Sequence, residues 1–309
     1  MKFKLTACLL IVSLTLFGQN KKIENFKITI LSTMLSDIHI GEWGFSAMIE
    51  VDGKKILFDA GSRENTVLQN AKELNISLEN IEEVFISHNH KDHTGGLLKI
   101  KENFPNSFTI AHVGKGIFYS RPNNNGSEHY ILKNKSKLEK LGVKFISHSK
   151  PSEIIPGIWT TGYVPRKYDE KNWSQLSKLI TDRGLKIEDT VPEDQSLFFD
   201  TENGIVLISG CGHAGLANTL DHVKKIMPGR PIYKILGGFH LLKLNEKKLK
   251  WTAEKMKEAG IEYFVGAHCT GINSTYSIRG YLGLSSNNVL VGSVGTYITK
   301  NGIKSGYMQ

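Results

Sequence analysis

At 309 residues, 40% of them apolar and 22% charged, the chain is long enough for one large core or two small ones and too apolar for wholesale disorder. Its 39 Lys and Arg against 30 Asp and Glu give a net charge of +9, spread along the chain rather than massed, so charge favours anionic small ligands and makes no case for nucleic acid. Three cysteines, Cys8, Cys211 and Cys269, are too few for a disulfide-stapled scaffold.

In chain order, Lys2 and Lys4 precede an apolar run over residues 5–17 that Gly18-Gln19-Asn20 closes. A basic start, an apolar stretch and a cleavage zone predict an export signal over residues 1–19, too short to span a bilayer. The apolar run follows Cys8 instead of preceding it, which argues against lipidation there. Loss of Lys2 and Lys4 from the net of +9 leaves +7 on residues 20–309. The expectation is one periplasmic or secreted domain over those residues, with no membrane span.

Strands are predicted over 28–34, 44–51 and 55–59, with Asp52-Gly53 as the turn between the last two. Helical spacing runs over 64–74. A short apolar strand over 81–87 leads into a His-rich loop, then a helix over 95–102 and a strand over 108–113. The stretch 114–194 is the least regular, with a basic helix over 133–141 and strands over 143–147 and 158–161, and it reads as an insertion lying over one edge. A hairpin over 195–209 follows, then helices over 216–227, 246–259 and 276–282 and strands over 232–236, 261–266 and 289–298. Two similar halves, each strand-rich and then alternating, predict a four-layer αββα sandwich with two mixed sheets face to face.

The strongest chemical signal is Ser87-His88-Asn89-His90-Lys91-Asp92-His93-Thr94-Gly95-Gly96, at the end of an apolar strand. Alternate residues of an extended chain point the same way, so His88 and His90 can grip one metal, and the turn into a helix aims Asp92 and His93 at a second. One loop cannot complete two coordination shells. Three more apolar strands run into His-bearing loops: Gly210-Cys211-Gly212-His213, Gly237-Gly238-Phe239-His240 and His268-Cys269-Thr270-Gly271. Asp59, in Phe58-Asp59-Ala60-Gly61, also closes an apolar strand, as a turn former or as the carboxylate that orients a ligating His.

These motifs resemble those of the metallo-β-lactamase superfamily: His88, His90, Asp92 and His93 match its signature and the Asp59 segment its first motif. The later loops, with Thr160-Thr161-Gly162-Tyr163-Val164-Pro165-Arg166, resemble the dihydropteroate-synthase-like branch, one member of which joins a pterin to a ribosylated aminobenzene phosphate. The resemblance implies the αββα fold and two divalent ions, zinc by default, with iron or manganese compatible with the Asp92 set. It makes His213 the third ligand of the first site and lets His268 complete the second with Asp92 and His93. Cys211 stands where a bridging Asp is usual, and bridges, ligates one ion or merely packs. His240 is expected to face substrate.

The expected activity is exported metal-dependent hydrolysis by a metal-bound hydroxide, with Asp92 or Asp59 accepting a proton or orienting the nucleophile. The substrate is expected to be a small anionic ester, lactone or phosphoester, with Arg166, His112 and Lys115 as candidates for its charged group. The alternatives are pterin-methyl transfer to an arylamine, whose activated substrates are cytosolic and so sit poorly with an export signal, and a non-catalytic metal-binding protein.

Overall fold

A computed structural model describes residues 21–122 and 126–306 of the chain. The expected export signal and Cys8 lie outside these residues.

The chain opens on β1 (Phe26–Ser32), β2 (Ser46–Val51) and β3 (Lys54–Phe58), an antiparallel meander. Asp52 and Gly53 link β2 to β3 with φ of 45° and 82°, the left-handed pair of a type I′ hairpin turn. Next come α1 (Thr66–Glu73), β4 (Glu83–Phe85), α2 (Lys91–Thr94), α3 (Leu97–Asn103), β5 (Ile110–Gly114), α4 (Tyr130–Lys140) and β6 (Lys144–His148), with β3 to β6 parallel. The next strands are β7 (Ser152–Ile155), β8 (Ile158–Thr160), the small hairpin β9 (Lys178–Ile180) and β10 (Lys186–Glu188), β11 (Leu197–Thr201) and β12 (Gly204–Ser209). Then α5 (Leu216–Ile226), β13 (Ile232–Gly237), α6 (Glu246–Ala259), β14 (Tyr263–Gly266), α7 (Ile272–Leu282) and β15 (Val289–Val291) alternate, with β12 to β15 parallel. β16 (Tyr297–Thr299) and β17 (Gly302–Lys304) close the chain.

The strands make an eight-stranded sheet, β17-β16-β1-β2-β3-β4-β5-β6, and a seven-stranded sheet, β15-β14-β13-β12-β11-β8-β7. Both are apolar on both faces, and strand periodicity sorts the layers. Ile56 and Phe58 of β3 meet Phe199, Val206 and Ile208 in the core between the sheets. The intervening Leu57 packs outward with Val67, Ala71 and Leu97 of α1 and α3. Phe198, Ile205 and Leu207 likewise face Leu216, Leu220 and Val223 of α5. The result is the expected αββα sandwich, with the parallel strands of both sheets ending toward one rim.

Three expectations change. Residues 114–194 are woven into the fold: they supply β6 at the edge of one sheet and β7 and β8 at the edge of the other, and only the β9–β10 hairpin stands apart as a two-stranded unit. The strand expected over 289–298 is two, because the chain turns at Gly292-Ser293-Val294-Gly295 (Ser293 N–H to Thr296 Oγ1, 3.0 Å) and crosses from the seven-stranded sheet to the eight-stranded one. The helix expected over 95–102 is α2 and α3 on either side of Gly95-Gly96. A side chain at Gly95 would collide with the Ser62 carbonyl, so this close approach of the chain requires glycine.

Candidate metal centre

Every chemically suggestive loop leaves the C-terminal end of a strand at the same rim: Asp59 after β3, His88 to His93 after β4, Cys211 and His213 after β12, His240 after β13 and His268 after β14. Such rims carry function in α/β sheets because parallel strands deliver their loops to one side. Asp59 organises the first two loops. Its Oδ1 accepts the Ser87 N–H at 2.7 Å, and its Oδ2 accepts the Ser87 hydroxyl and lies against His93 Nδ1, both at 2.7 Å. Gly210 leaves room for this contact, since a Cβ there would strike Ser87 Oγ and Asp59 Oδ2.

These hydrogen bonds set the ring tautomers. The Ser87 proton goes to Asp59, so Ser87 Oγ accepts the His88 Nδ1–H at 2.9 Å and the lone pair of His88 Nε2 faces inward. His213 Nδ1–H donates to the Asn172 carbonyl at 2.5 Å, which leaves its Nε2 buried without a hydrogen-bond partner among the described residues. His93 spends Nδ1 on Asp59, and its Nε2 lies 3.2 Å from Cys211 Sγ. His88 Nε2 approaches His90 Nδ1 to 3.0 Å. Inward lone pairs and an orphaned imidazole nitrogen at these distances are what a cation satisfies.

The donor atoms fall into two three-residue sets, His88 with His90 and His213, and Asp92 with His93 and His268, the atoms of each set lying within 4.8 Å of one another. Cys211 lies between them, in separate trios with His88 and His93, with His268 and Cys269, and with His213 and His240. Burial pushes His88 and His213 well below the usual histidine range and brings His90 down to about 4, so three imidazoles are held neutral and ready to ligate. Burial opposes charge on His93 too, but Asp59 and Asp92 outweigh it and raise that group to about 9. Burial alone would raise Asp92, and the charge of His93 with the hydrogen bond from His268 lowers it instead. Burial pushes the Cys211 thiol up.

A cavity of about 490 Å³ opens beside the cluster, lined by His90, Asp92, His213, His240 and His268 together with Trp43 and Trp173. A larger cleft, about 1020 Å³, lies at the opposite end of β12 beside Asp200 and Thr201 and holds none of these donors. His240 lines the cavity, with its ring 4.6 Å from that of His213.

Three residues expected at the substrate go elsewhere. Arg166 donates to the carbonyls of His213, Thr190 and Val191 at 2.6, 2.6 and 3.3 Å and lies over the Trp173 ring, so its charge clamps loops. His112 is buried on β5 between His148 and Glu83, at 2.8 and 2.5 Å, away from the cavity. Lys115 is exposed past the end of β5, outside that cavity.

Sequence reasoning passed over Cys269, whose Sγ lies 3.3 Å from that of Cys211, and Trp43, whose ring lies 4.7 Å from that of His268. Cys269 adjoins His268 in sequence, a signal that was available; Trp43 reaches the site only through folding. Asp59, Val191, His240 and His268 all take left-handed backbone at φ of 47° to 54°. Non-glycine residues there store strain, and all four surround this site.

Comparison with known proteins decides the family. The chain is 31% identical over 273 residues, 82% of its own length and 90% of the relative's, to the 7,8-dihydropterin-6-methyl-4-(β-D-ribofuranosyl)-aminobenzene-5′-phosphate synthase of Methanocaldococcus jannaschii. Among solved structures it is similar to Tm1679, a metal-dependent hydrolase of the β-lactamase superfamily, with 25% identity, a TM-score of 0.70 and coverage of 88% of this chain and 98% of that one. The chain belongs to the metallo-β-lactamase superfamily. The metallo-β-lactamase fold protein YhfI from Bacillus subtilis, at 10% identity and TM-score 0.55, covering 88% of this chain and 99% of its own, shares the fold. A sequence family described as anti-Pycsar protein Apyc1 matches residues 27–111, the segment that carries the superfamily's Asp59 and His88 to His93 motifs. The chain is a metal-dependent enzyme of the metallo-β-lactamase type, and among the described residues no helix is long and apolar enough to cross a membrane.

Proposed function

We propose that the protein is an exported hydrolase with two divalent ions, acting on a small anionic ester, lactone or phosphoester. The observation that carries this reading is the pair of adjacent three-donor sets beside one cavity. Three protein ligands per ion is the pattern of catalytic sites, which keep a position open for water or substrate, whereas structural zinc sites are closed by four. His88, His90 and His213 would hold one ion and Asp92, His93 and His268 the other, with Cys211 between them. Nitrogen and sulfur donors suit zinc, and the Asp92 set also accepts iron or manganese. When bound, such ions act as Lewis acids and bring the ionisation of water close to neutral pH.

The chain's own residues do the rest. Asp59 holds the His93 ring in one tautomer, Asp92 keeps a carboxylate beside His268, and His240 presents a polar edge to whatever enters the cavity. Trp43 and Trp173 add apolar rings to the cavity lining. The test is turnover by the zinc-loaded protein on phosphoesters and carboxylated lactones and lactams. Activity is expected to vanish with a chelator, to return with added metal, and to rise with pH through a value near ~7.

A second reading, transfer of a pterin-methyl group to an arylamine, draws on the name of the 31% identical relative. The basic and apolar N-terminus supports the hydrolase, since that transfer uses cytosolic substrates. The completeness of both donor sets counts against a non-catalytic metal binder. Pterin transfer by fully metallated protein that hydrolyses no ester, lactone or lactam would reverse the order of the two enzyme readings.

A further inference from the structure

We infer that the β9–β10 hairpin and the chain facing it form a second compartment of the site, which binds a phosphate carried on a ring or other apolar group of the substrate. The inference rests on the hydrolase reading for its place in turnover, though not for the binding itself.

A cavity of about 720 Å³ adjoins the one beside the metal donors, and the two share His90, Ser177 and Asp189 as lining. One wall is a single face of the hairpin. The register pairs Ile180 with Lys186 and Lys178 with Glu188, and strand periodicity puts all four side chains on one side. Leu179, on the other side, is fully buried and pins the hairpin to the body, while Ile180 N–H bonds the Ser120 carbonyl at 2.8 Å. The hairpin therefore presents Lys178 and Lys186 to the cavity from a supported ribbon.

The carboxylates nearby hydrogen-bond to other donors and form no ion pair with either lysine. Glu188, across the ladder from Lys178, accepts the Trp173 indole N–H at 2.6 Å. Asp189 takes the Arg121 guanidinium at 2.6 and 3.2 Å and the Val191 N–H, and Glu193 takes Arg121 from the other side at 2.7 Å. Among the described residues no carboxylate lies within 4 Å of either lysine's Nζ. The remaining lining is apolar or a ring: Pro122, Ile180 and His129, with Leu176 at the lip, 91% exposed and packed on nothing. Two ammonium groups with no ion-pair partner beside an apolar wall match an anion attached to a ring, and Lys binds phosphate as a point charge without needing the fixed fork of Arg.

The compartment can be read without activity. Zinc-loaded full-length protein is acetylated with and without phenylphosphonate, whose P–C bond the hydrolase cannot cut, and each lysine's rate is followed by mass spectrometry. Near-saturating phenylphosphonate should slow Lys178 and Lys186 about fivefold or more and leave Lys250 of α6 unchanged. Equilibrium dialysis should show the Lys178→Gln, Lys186→Gln double variant binding phenylphosphonate about tenfold more weakly. Unprotected lysines, or equal affinity in the folded double variant, overturns the inference. In turnover, the double variant should raise the Michaelis constant of a phosphorylated ester and spare its uncharged analogue; equal effects on both also overturn it. If no ester is hydrolysed, the hydrolase reading fails, and the acetylation result still decides the compartment.

Discussion

Asp59 Oδ2 lies 2.7 Å from His93 Nδ1, and both side chains are fully shielded from solvent. The contact joins the end of β3 to the His-rich loop after β4 and leaves His93 Nε2 facing Cys211 and Asp92. Asp59 is therefore a positioning residue. Asp59→Asn should keep most of the metal and lose activity by roughly tenfold or more. Metal content and turnover measured on one sample check this, and an unchanged rate leaves Asp59 as a turn residue alone.

The two donor sets lead us to expect about two ions per chain in metal analysis of the purified protein. His90→Ala removes a donor from the first set. It should lower metal content and abolish turnover while the circular dichroism of the αββα body persists. A wild-type chain that takes up no metal at neutral pH would refute the centre altogether.

Cys211 Sγ lies 3.2 Å from His93 Nε2 and 3.3 Å from Cys269 Sγ. A thiolate ligand gives cobalt(II) an intense near-ultraviolet charge-transfer band, so the cobalt-substituted protein should show one, and Cys211→Ser should lose it. Retention of the band in Cys211→Ser but not in Cys269→Ser would move the sulfur ligand to the loop after β14.

Arg166 spends its guanidinium on three carbonyls, among them that of the ligand candidate His213. Arg166→Ala should therefore cost about 2–3 kcal/mol of stability and lower turnover through a misplaced His213, with the Michaelis constant little changed. Thermal unfolding and steady-state kinetics separate this from a substrate-binding role, which would raise the Michaelis constant at constant stability.

His148 is buried against His112, and burial first, then the charge of His112, lowers it to about 4. Its ordinary value in the unfolded chain is about 6.5. Between those values the unfolded chain holds the proton that the folded chain refuses. The contribution is intact above pH ~6.5 and is lost as pH falls toward ~4, by about 3 kcal/mol in all. Denaturant unfolding at several pH values should show a shallower acid loss in His148→Gln than in wild type, and parallel curves would remove His148 from the account.

What the sequence by itself determined is local. Strand periodicity with apolar residues on both faces announced two buried sheets, and His or Asp just past the ends of apolar strands announced a rim of donors. Both signals depend on residues a few positions apart. What the tertiary structure decided depends on segments brought together from afar. The His93–Cys211 contact spans 118 positions, and nothing local sets which nitrogen of His93 faces inward until Asp59, 34 positions away, takes the other. His112 looked available until the parallel pairing of β5 and β6 set His148 against it. Arg166 looked like a substrate cation until loops 24 to 47 residues downstream filled its five donors' reach with carbonyls. A polar side chain's type can be read from the chain, but its partner cannot, because burial leaves each donor to whatever acceptor the packed fold delivers.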